Sequence, residues 1–206
     1  MNIFDVHIKN GEVIDGTGAP KFKSDIVIDK GKIIGVFPAE NGDVRDPSEN
    51  HFLSNFRAKH TINAENKIIS PGFIDVHTHD DDNVFLDPSM SSKISQGVTT
   101  CVAGNCGISL APFSYKGEVP APIALLGKSE VFRFPRVSDY KEEFNNKPSS
   151  VNLALLTGHS MLRVEAMNGE FARPASTKEI SKMVDKLKFC LLYTSELPTI
   201  PGVEVS

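Results

Sequence analysis

The sequence predicts an α/β chain: a small β-rich portion first, then a parallel sheet built from strand–helix units. Three observations lead there. Short apolar runs separated by glycine-containing turns fill the first third. Nearly continuous apolar runs follow at Gly72–Val76, Gly97–Ala103 and Val151–Leu156, and such runs mark strands covered on both faces, as in parallel sheets. Helical patterning lies between and after these runs, which is the rhythm of βα units.

Taken in order, Phe4–Ile8, Glu12–Ile14, Asp25–Ile28 and Lys32–Val36 are short apolar-rich runs. Asn10-Gly11, Asp15-Gly16 and Lys30-Gly31 separate them, and glycine supplies the positive φ that hairpin turns need. Hairpins in a small sheet are therefore expected. Pro38–His60 is polar, contains Glu40-Asn41-Gly42-Asp43 and Pro47, and reads as an exposed insertion or loop. Thr61–Asn63 and Lys67–Ser70 read as further strands around the turn Ala64-Glu65-Asn66. In the second part, Asp139–Phe144 reads as a short helix. Ser176-Thr177-Lys178-Glu179 matches a capping box, in which serine and glutamate satisfy free amides at a helix start. Ile180, Met183, Val184 and Leu187 then recur at i, i+3, i+4 and i+7, one apolar helix face. The expected division is residues 1–66, with an insertion at about 38–60, and residues 67–206, with the tail 189–206 unassigned.

Composition narrows the function classes. The 206 residues carry 22 Lys and Arg against 26 Asp and Glu, a net charge of −4. That balance argues against nucleic acid or an anionic membrane as partner. No apolar run reaches the ~18 residues of a membrane span, and Met1–Val6 lacks the apolar core of a signal peptide. Cys101, Cys106 and Cys190 are sparse and odd in number, which suits a reducing cytoplasm.

In a parallel sheet the chemistry gathers at the C-terminal strand ends. The residues there are His77, Thr78, His79 and Asp80–Asp82, then Asn105-Cys106, then Gly158-His159-Ser160. On an extended strand His77 and His79 point the same way. Two imidazoles from one strand make a stiff anchor for a divalent metal. The bland alternative is one solvated histidine and one hydrogen-bonded in the core. The buried run before the pair and the acidic run after it favour metal.

These residues also carry a family resemblance. Ile69-Ser70-Pro71-Gly72-Phe73-Ile74-Asp75-Val76-His77-Thr78-His79 resembles the first barrel strand of the amidohydrolase superfamily. Ile8-Lys9-Asn10-Gly11-Glu12-Val13-Ile14-Asp15-Gly16-Thr17-Gly18 resembles the opening of the same enzymes. A narrower similarity is to the D-aminoacylases, or N-acyl-D-amino-acid deacylases. It rests on His79-Asp80-Asp81, Gly97-Val98-Thr99-Thr100, Gly104-Asn105-Cys106-Gly107-Ile108-Ser109 and Gly158-His159-Ser160-Met161-Leu162-Arg163. His-x-His is specific to the superfamily alone; Gly-Asn-Cys-Gly is far more specific to this branch.

The resemblance implies a partial (β/α)8 TIM-type barrel of three to four βα units, preceded by an N-terminal β-sandwich portion. It implies Zn2+, with Cys106 helping to hold one tight ion and His77 and His79 forming a second, weaker metal position. Taken alone, Cys106 is more readily a small buried hydrophobe, but thiolate is a strong zinc ligand. Cys101 is assigned to core packing; Cys190, His7, His51 and His60 receive no role. His159 and Arg163 are candidates for substrate binding, Arg163 by bidentate pairing with a carboxylate; the alternative is a loop histidine and a structural arginine. Asp80 and Asp81 are candidates to orient a ligand histidine or contact substrate. The implied reaction is zinc-dependent hydrolysis of the amide of a small N-acyl-D-amino acid. Rivals are a dihydropyrimidinase- or dihydroorotase-like enzyme, which would normally carry lysine where Cys106 stands, and a non-catalytic metal-binding remnant. The implied catalytic aspartate and two further histidines belong to later strands, yet no histidine follows His159 and the last aspartate is Asp185. No catalytic residue is therefore assigned. Since a whole barrel needs ~250 residues, the chain reads as an N-terminal fragment, expected to be marginally stable and inactive by itself.

Overall fold

The computed structural model describes residues 2–40, 43–44, 56–121, 123–170 and 172–194. The chain divides into two compact units, described separately below, at the Pro71–Gly72 boundary.

The first unit is one mixed sheet. Its strands are β1 (Asn2–Val13), β2 (Phe22–Asp29), β3 (Lys32–Glu40), β4 (Asp43–Val44), β5 (Phe56–Asn63) and β6 (Ile68–Ile69). The order is β4-β3-β2-β1-β5, with β6 also pairing with β1. The β1–β2, β2–β3 and β3–β4 pairs are antiparallel, whereas β5 and β6 run parallel to β1. Lys30-Gly31 forms the expected turn, both residues at positive φ (50° and 73°), which matches strand twist. Asn10-Gly11 does not. It lies within the continuous strand β1, where the register to β2 shifts between Ile8 and Gly11. Asn10 adopts φ 64° as a bulge residue, and a Cβ on Gly11 would meet Ile69 Cδ1 at 2.2 Å. A glycine that reads as a turn is thus a place where β6 presses on β1. The expected loop at Pro38–His60 is likewise corrected in part, since β3, β4 and β5 occupy portions of it; residues 41–42 and 45–55 lie outside the described residues.

The second unit is α/β. Its strands β7 (Phe73–Asp75), β8 (Val98–Ala103) and β11 (Asn152–Leu155) form a sheet in the order β11-β8-β7. Both pairings are parallel, Asp75 opposite Cys101 and Leu155 opposite Ala103. Helices α1 (Asn83–Leu86) and α2 (Ser91–Ile94) connect β7 to β8. Between β8 and β11 come the short antiparallel pair β9 (Phe113–Ser114) and β10 (Arg133–Phe134), then α3 (Val137–Asn146). After β11 follow α4 (His159–Ala166) and α5 (Thr177–Thr194). The capping box holds: the Ser176 amide donates to Glu179 Oε2 at 2.8 Å, and the Glu179 amide to Ser176 Oγ at 3.4 Å.

The core of this unit centres on Met90, Leu110, Phe113, Ile123, Phe132 and Met161, all essentially inaccessible. Cys101 lies in it, as expected. A smaller cluster joins Leu162 and Ala166 of α4 to Met183 and Leu187 of α5. The other two members of the α5 stripe, Ile180 and Val184, stay largely exposed. The expectation of strands covered on both faces fails for β7, where Phe73 and Ile74 are each 60% exposed, and for β11, where exposed and half-buried residues alternate. Strand β7 is an edge strand, with β8 as its partner among the described residues, so its apolar run is half of a packing interaction.

Candidate metal centre

Parallel pairing puts the C-terminal ends of β7, β8 and β11 side by side, and each is followed by a tight turn that carries polar groups. After β7 come His77 and His79. The Asp75 carboxylate accepts from the His77 amide at 3.3 Å, and the Thr78 amide donates to the Val102 carbonyl at 3.3 Å, extending the ladder toward β8. After β8 comes Gly104–Gly107. Gly104 and Gly107 sit at φ 83° and 74°, and Cys106 itself at 56°. A Cβ on Gly104 would lie 2.1 Å from the Leu156 carbonyl oxygen, so glycine is required there by both conformation and space. Asn105 Nδ2 donates to the Val102 carbonyl at 2.6 Å and to the Val76 carbonyl at 3.4 Å, closing the turn on the end of β7. After β11, the fully buried Ser109 hydroxyl accepts from the Gly158 amide at 3.0 Å.

These turns bring His77, His79 and Cys106 together: one ligand atom from each lies within 4.8 Å of the others. His77 Nε2 is 2.9 Å from Cys106 Sγ. The two imidazoles meet edge to face, centroids 5.9 Å apart. His77 and Cys106 are exposed and His79 is half-buried. No other group of three such donors occurs among the described residues.

Beneath this cluster, His79 Nδ1 and both Asp81 carboxylate oxygens are buried without a well-formed hydrogen bond. Burial pushes the Asp81 carboxyl up to about 6; its own amide and those of Gly104 and Leu110 oppose the shift from imperfect geometry. The Tyr140 hydroxyl donates to the Asp81 carbonyl at 2.6 Å. Asp82 pairs with Arg133, whose guanidinium also reaches Glu143 and lies 4.4 Å over the Phe134 ring. Asp80 turns the other way, to Thr78 and to Lys93.

His159 stands at the first position of α4 and is exposed. It lines, with Cys106 and Asn105, a largely apolar cavity of about 760 Å3 that also includes Leu155, Phe144 and Cys190. Arg163 is one turn further on, and its guanidinium donates to the Arg173 carbonyl. Neither belongs to the three-donor cluster. Sequence reasoning passed over Lys93, Tyr140 and Arg133. A lone lysine in a four-residue helix carries no pattern, and the other two stand out through the carboxylates they meet in space.

Two imidazoles and a thiolate at adjoining ends of parallel strands define a protein with a donor set for an intermediate-to-soft transition metal. The chain matches the amidohydrolase family over residues 60–186, well over half its length, and it belongs to that family. Among curated proteins it is 38% identical over 183 residues to a D-aminoacylase of Alcaligenes xylosoxydans xylosoxydans, covering 88% of this chain and 34% of the relative. Among solved structures, a D-aminoacylase studied for the role of its binuclear metal centre is 42% identical, with a TM-score of 0.79 and coverage of 92% of this chain and 36% of the other. An N-acyl-D-glutamate deacylase from Bordetella bronchiseptica, solved with zinc and a phosphonate mimic of the tetrahedral intermediate, is 37% identical at a TM-score of 0.78, covering 93% and 37%. The chain thus spans about a third of the length of the curated relatives it matches. No described helix is long and apolar enough to cross a membrane.

Proposed function

We propose that this chain contributes part of the zinc centre of an N-acyl-D-amino-acid deacylase, which hydrolyses a linear amide to a carboxylate and a D-amino acid. The observation that carries this is the meeting of His77, His79 and Cys106 from two different strand ends. The donor set fits zinc, for which imidazole and thiolate are ordinary ligands. The orphaned Nδ1 of His79 supports the same reading, because a buried imidazole nitrogen without a partner is costly. The binuclear centre of the related D-aminoacylase and the zinc in the deacylase from Bordetella bronchiseptica support a reading with two metal positions, of which we take one as tight and one as weaker. We also read β7, β8 and β11 as consecutive strands of a (β/α)8 barrel, with the first unit as an accompanying β-sandwich portion.

When bound, zinc polarises an amide carbonyl and lowers the pKa of a water ligand. The chain's own residues do the rest that is visible here. His77, His79 and Cys106 would supply donors to these metal positions; Asp81, buried with both carboxylate oxygens unpartnered, is the candidate to orient the His79 imidazole. His159 faces the cavity that Cys106 shares and is assigned to the substrate side. Arg163 is engaged by the Arg173 carbonyl, which supports a role in fixing the loop after α4 ahead of one in pairing with substrate. Three free cysteines support a reducing, cytoplasmic setting.

Zinc content and affinity of the purified chain test the assignment. Tight zinc binding is expected in the parent, with losses of tenfold or more (about 1.4 kcal/mol or above) in Cys106→Ser and His77→Ala. Cobalt substitution should give a thiolate charge-transfer band that Cys106→Ser abolishes. Zinc bound equally well by parent and Cys106→Ser would sink the proposal. By itself the purified chain is expected to release no amino acid from an N-acyl-D-amino acid with zinc present, and zinc-dependent release would overturn the expectation that it is inactive alone.

A further inference from the structure

The loop carrying His77 and His79 is gripped from one side by a single ammonium group. Lys93, on α2, places Nζ 2.6 Å from Asp75 Oδ2, 2.8 Å from Asp80 Oδ2 and 3.2 Å from Thr78 Oγ1. An ammonium has three N–H donors, and each has an acceptor here. The three acceptors interleave with the two histidines: Asp75 precedes His77, and Thr78 and Asp80 flank His79. They are tied to one another as well. Asp75 Oδ1 accepts from the His77 amide, and the Thr78 hydroxyl donates to Asp80. The Lys93 side chain is 19% exposed, so this contact is shielded more than an ordinary surface pair, which contributes little.

Building on the metal-centre reading above, we infer that Lys93 is a positioning residue of that centre: it touches no donor atom of the cluster, but fixes the backbone from which His77 and His79 project. Its clamp also draws the Asp80 carboxylate away from the three donors and leaves an imidazole–thiolate set. Burial alone would lower the Lys93 pKa, but hydrogen bonds to Asp75 and Asp80 outweigh it and hold it above its ordinary value. The lysine is therefore charged wherever the histidines can bind a metal. A charge-neutral side chain of similar length removes the clamp while keeping most of the packing.

Competition of the 206-residue chain against a chromophoric chelator measures zinc affinity in the parent, Lys93→Met, Lys93→Arg, Asp75→Asn and the Lys93→Met/Asp75→Asn double variant, with far-UV circular dichroism confirming fold. Lys93→Met is expected to weaken zinc binding about 10–100-fold, the range for residues that orient metal ligands. Lys93→Arg, which can bridge two carboxylates, should recover affinity to within about threefold of the parent. The double variant should be no weaker than Lys93→Met alone, because both changes break the same clamp. In cobalt-loaded Lys93→Met the thiolate band should persist, since Cys106 is anchored on a different strand, while the d–d bands shift. A folded Lys93→Met that binds zinc like the parent overturns the inference. If Lys93→Met does not fold, Asp75→Asn decides, and parental affinity there overturns it equally. Absence of Cys106-dependent zinc binding in the parent overturns the metal-centre reading and this inference together; binding that depends on Cys106 but not on Lys93 overturns this inference alone.

Discussion

Gly104 is the position where shape most sharply constrains the turn that presents Cys106, and its replacement by alanine separates two physical costs. The first is conformational: at φ +83° a Cβ is disfavoured by roughly 1–2 kcal/mol. The second is steric: the new Cβ would fall 2.1 Å from the Leu156 carbonyl oxygen and 2.8 Å from its carbon. Backbone cannot rotate aside as a flexible side chain can, so relief requires β8 and the segment after β11 to part, at about 1–3 kcal/mol. Gly104→Ala should therefore cost about 2–5 kcal/mol in total. Gly97→Ala is the matched control. It has nearly the same φ, +80°, but the nearest atom to its Cβ is Phe73 Cδ2 at 3.4 Å, an ordinary contact, so it should cost the conformational part alone. Urea unfolding followed by far-UV circular dichroism suits a chain without tryptophan. At a slope of about 2 kcal/mol/M the extra steric cost moves the midpoint by roughly 0.5–1.5 M. Zinc affinity should fall in Gly104→Ala and hold in Gly97→Ala, because only the first displaces the Cys106 turn. Equal midpoint shifts in the two variants would refute the close approach of Gly104 to Leu156.

Tyr140→Phe keeps the ring contacts with Phe85 and Phe134, both at 5.0 Å, but strands the buried Asp81 carbonyl. A loss of about 1–3 kcal/mol in urea unfolding is expected, and a change under a few tenths would show that the hydroxyl carries no weight. The Glu179 carboxyl is held well below the usual carboxylate range by hydrogen bonds from Arg173 and from Ser176. A depressed folded pKa means stability that is complete above the unfolded value near 4.5 and lost progressively as pH falls below it. The melting-temperature gap between parent and Glu179→Gln should thus stay constant from pH 7 to about 5 and narrow toward pH 3; a gap that widens in acid contradicts the pairing.

The elements that rest on repeated local pattern were legible in the sequence. Strands β8 and β11, the Lys30-Gly31 turn and the capping box of α5 each follow from residues within a few positions of one another. What the sequence concealed depends on partners far along the chain. Asn10-Gly11 has turn chemistry, yet Ile69 of β6 presses there, and a bulge uses the same positive φ as a hairpin. The apolar run of β7 correctly marks a strand, but an apolar run reports what a strand can bury and says nothing of whether the cover is present; Phe73 and Ile74 remain exposed. Short helices α1 and α2 are too brief to show a period.

The candidate site divides along the same line, and the division has a physical reason. Donor identity is local: His77 and His79 are two residues apart, and parallel strand order alone predicts that a polar residue after the next strand lands beside them. Donor geometry is not local. It depends on Asn105 closing one strand end on another, on Gly104 letting Leu156 approach, and on Lys93 gripping three residues from a separate helix. Each of those is an ordinary residue in an unremarkable stretch until the chain folds. Lys93 makes the point most clearly. Its acceptors Asp75, Thr78 and Asp80 all lie in the stretch that carries the candidate ligands His77 and His79, but nothing in that stretch specifies the cation that restrains it. A motif therefore identifies which atoms can bind, and the supporting contacts decide whether they are held in register to do so. Substitution of the donors therefore tests whether the centre exists, and substitution at Lys93, which touches no donor atom, tests how it is held.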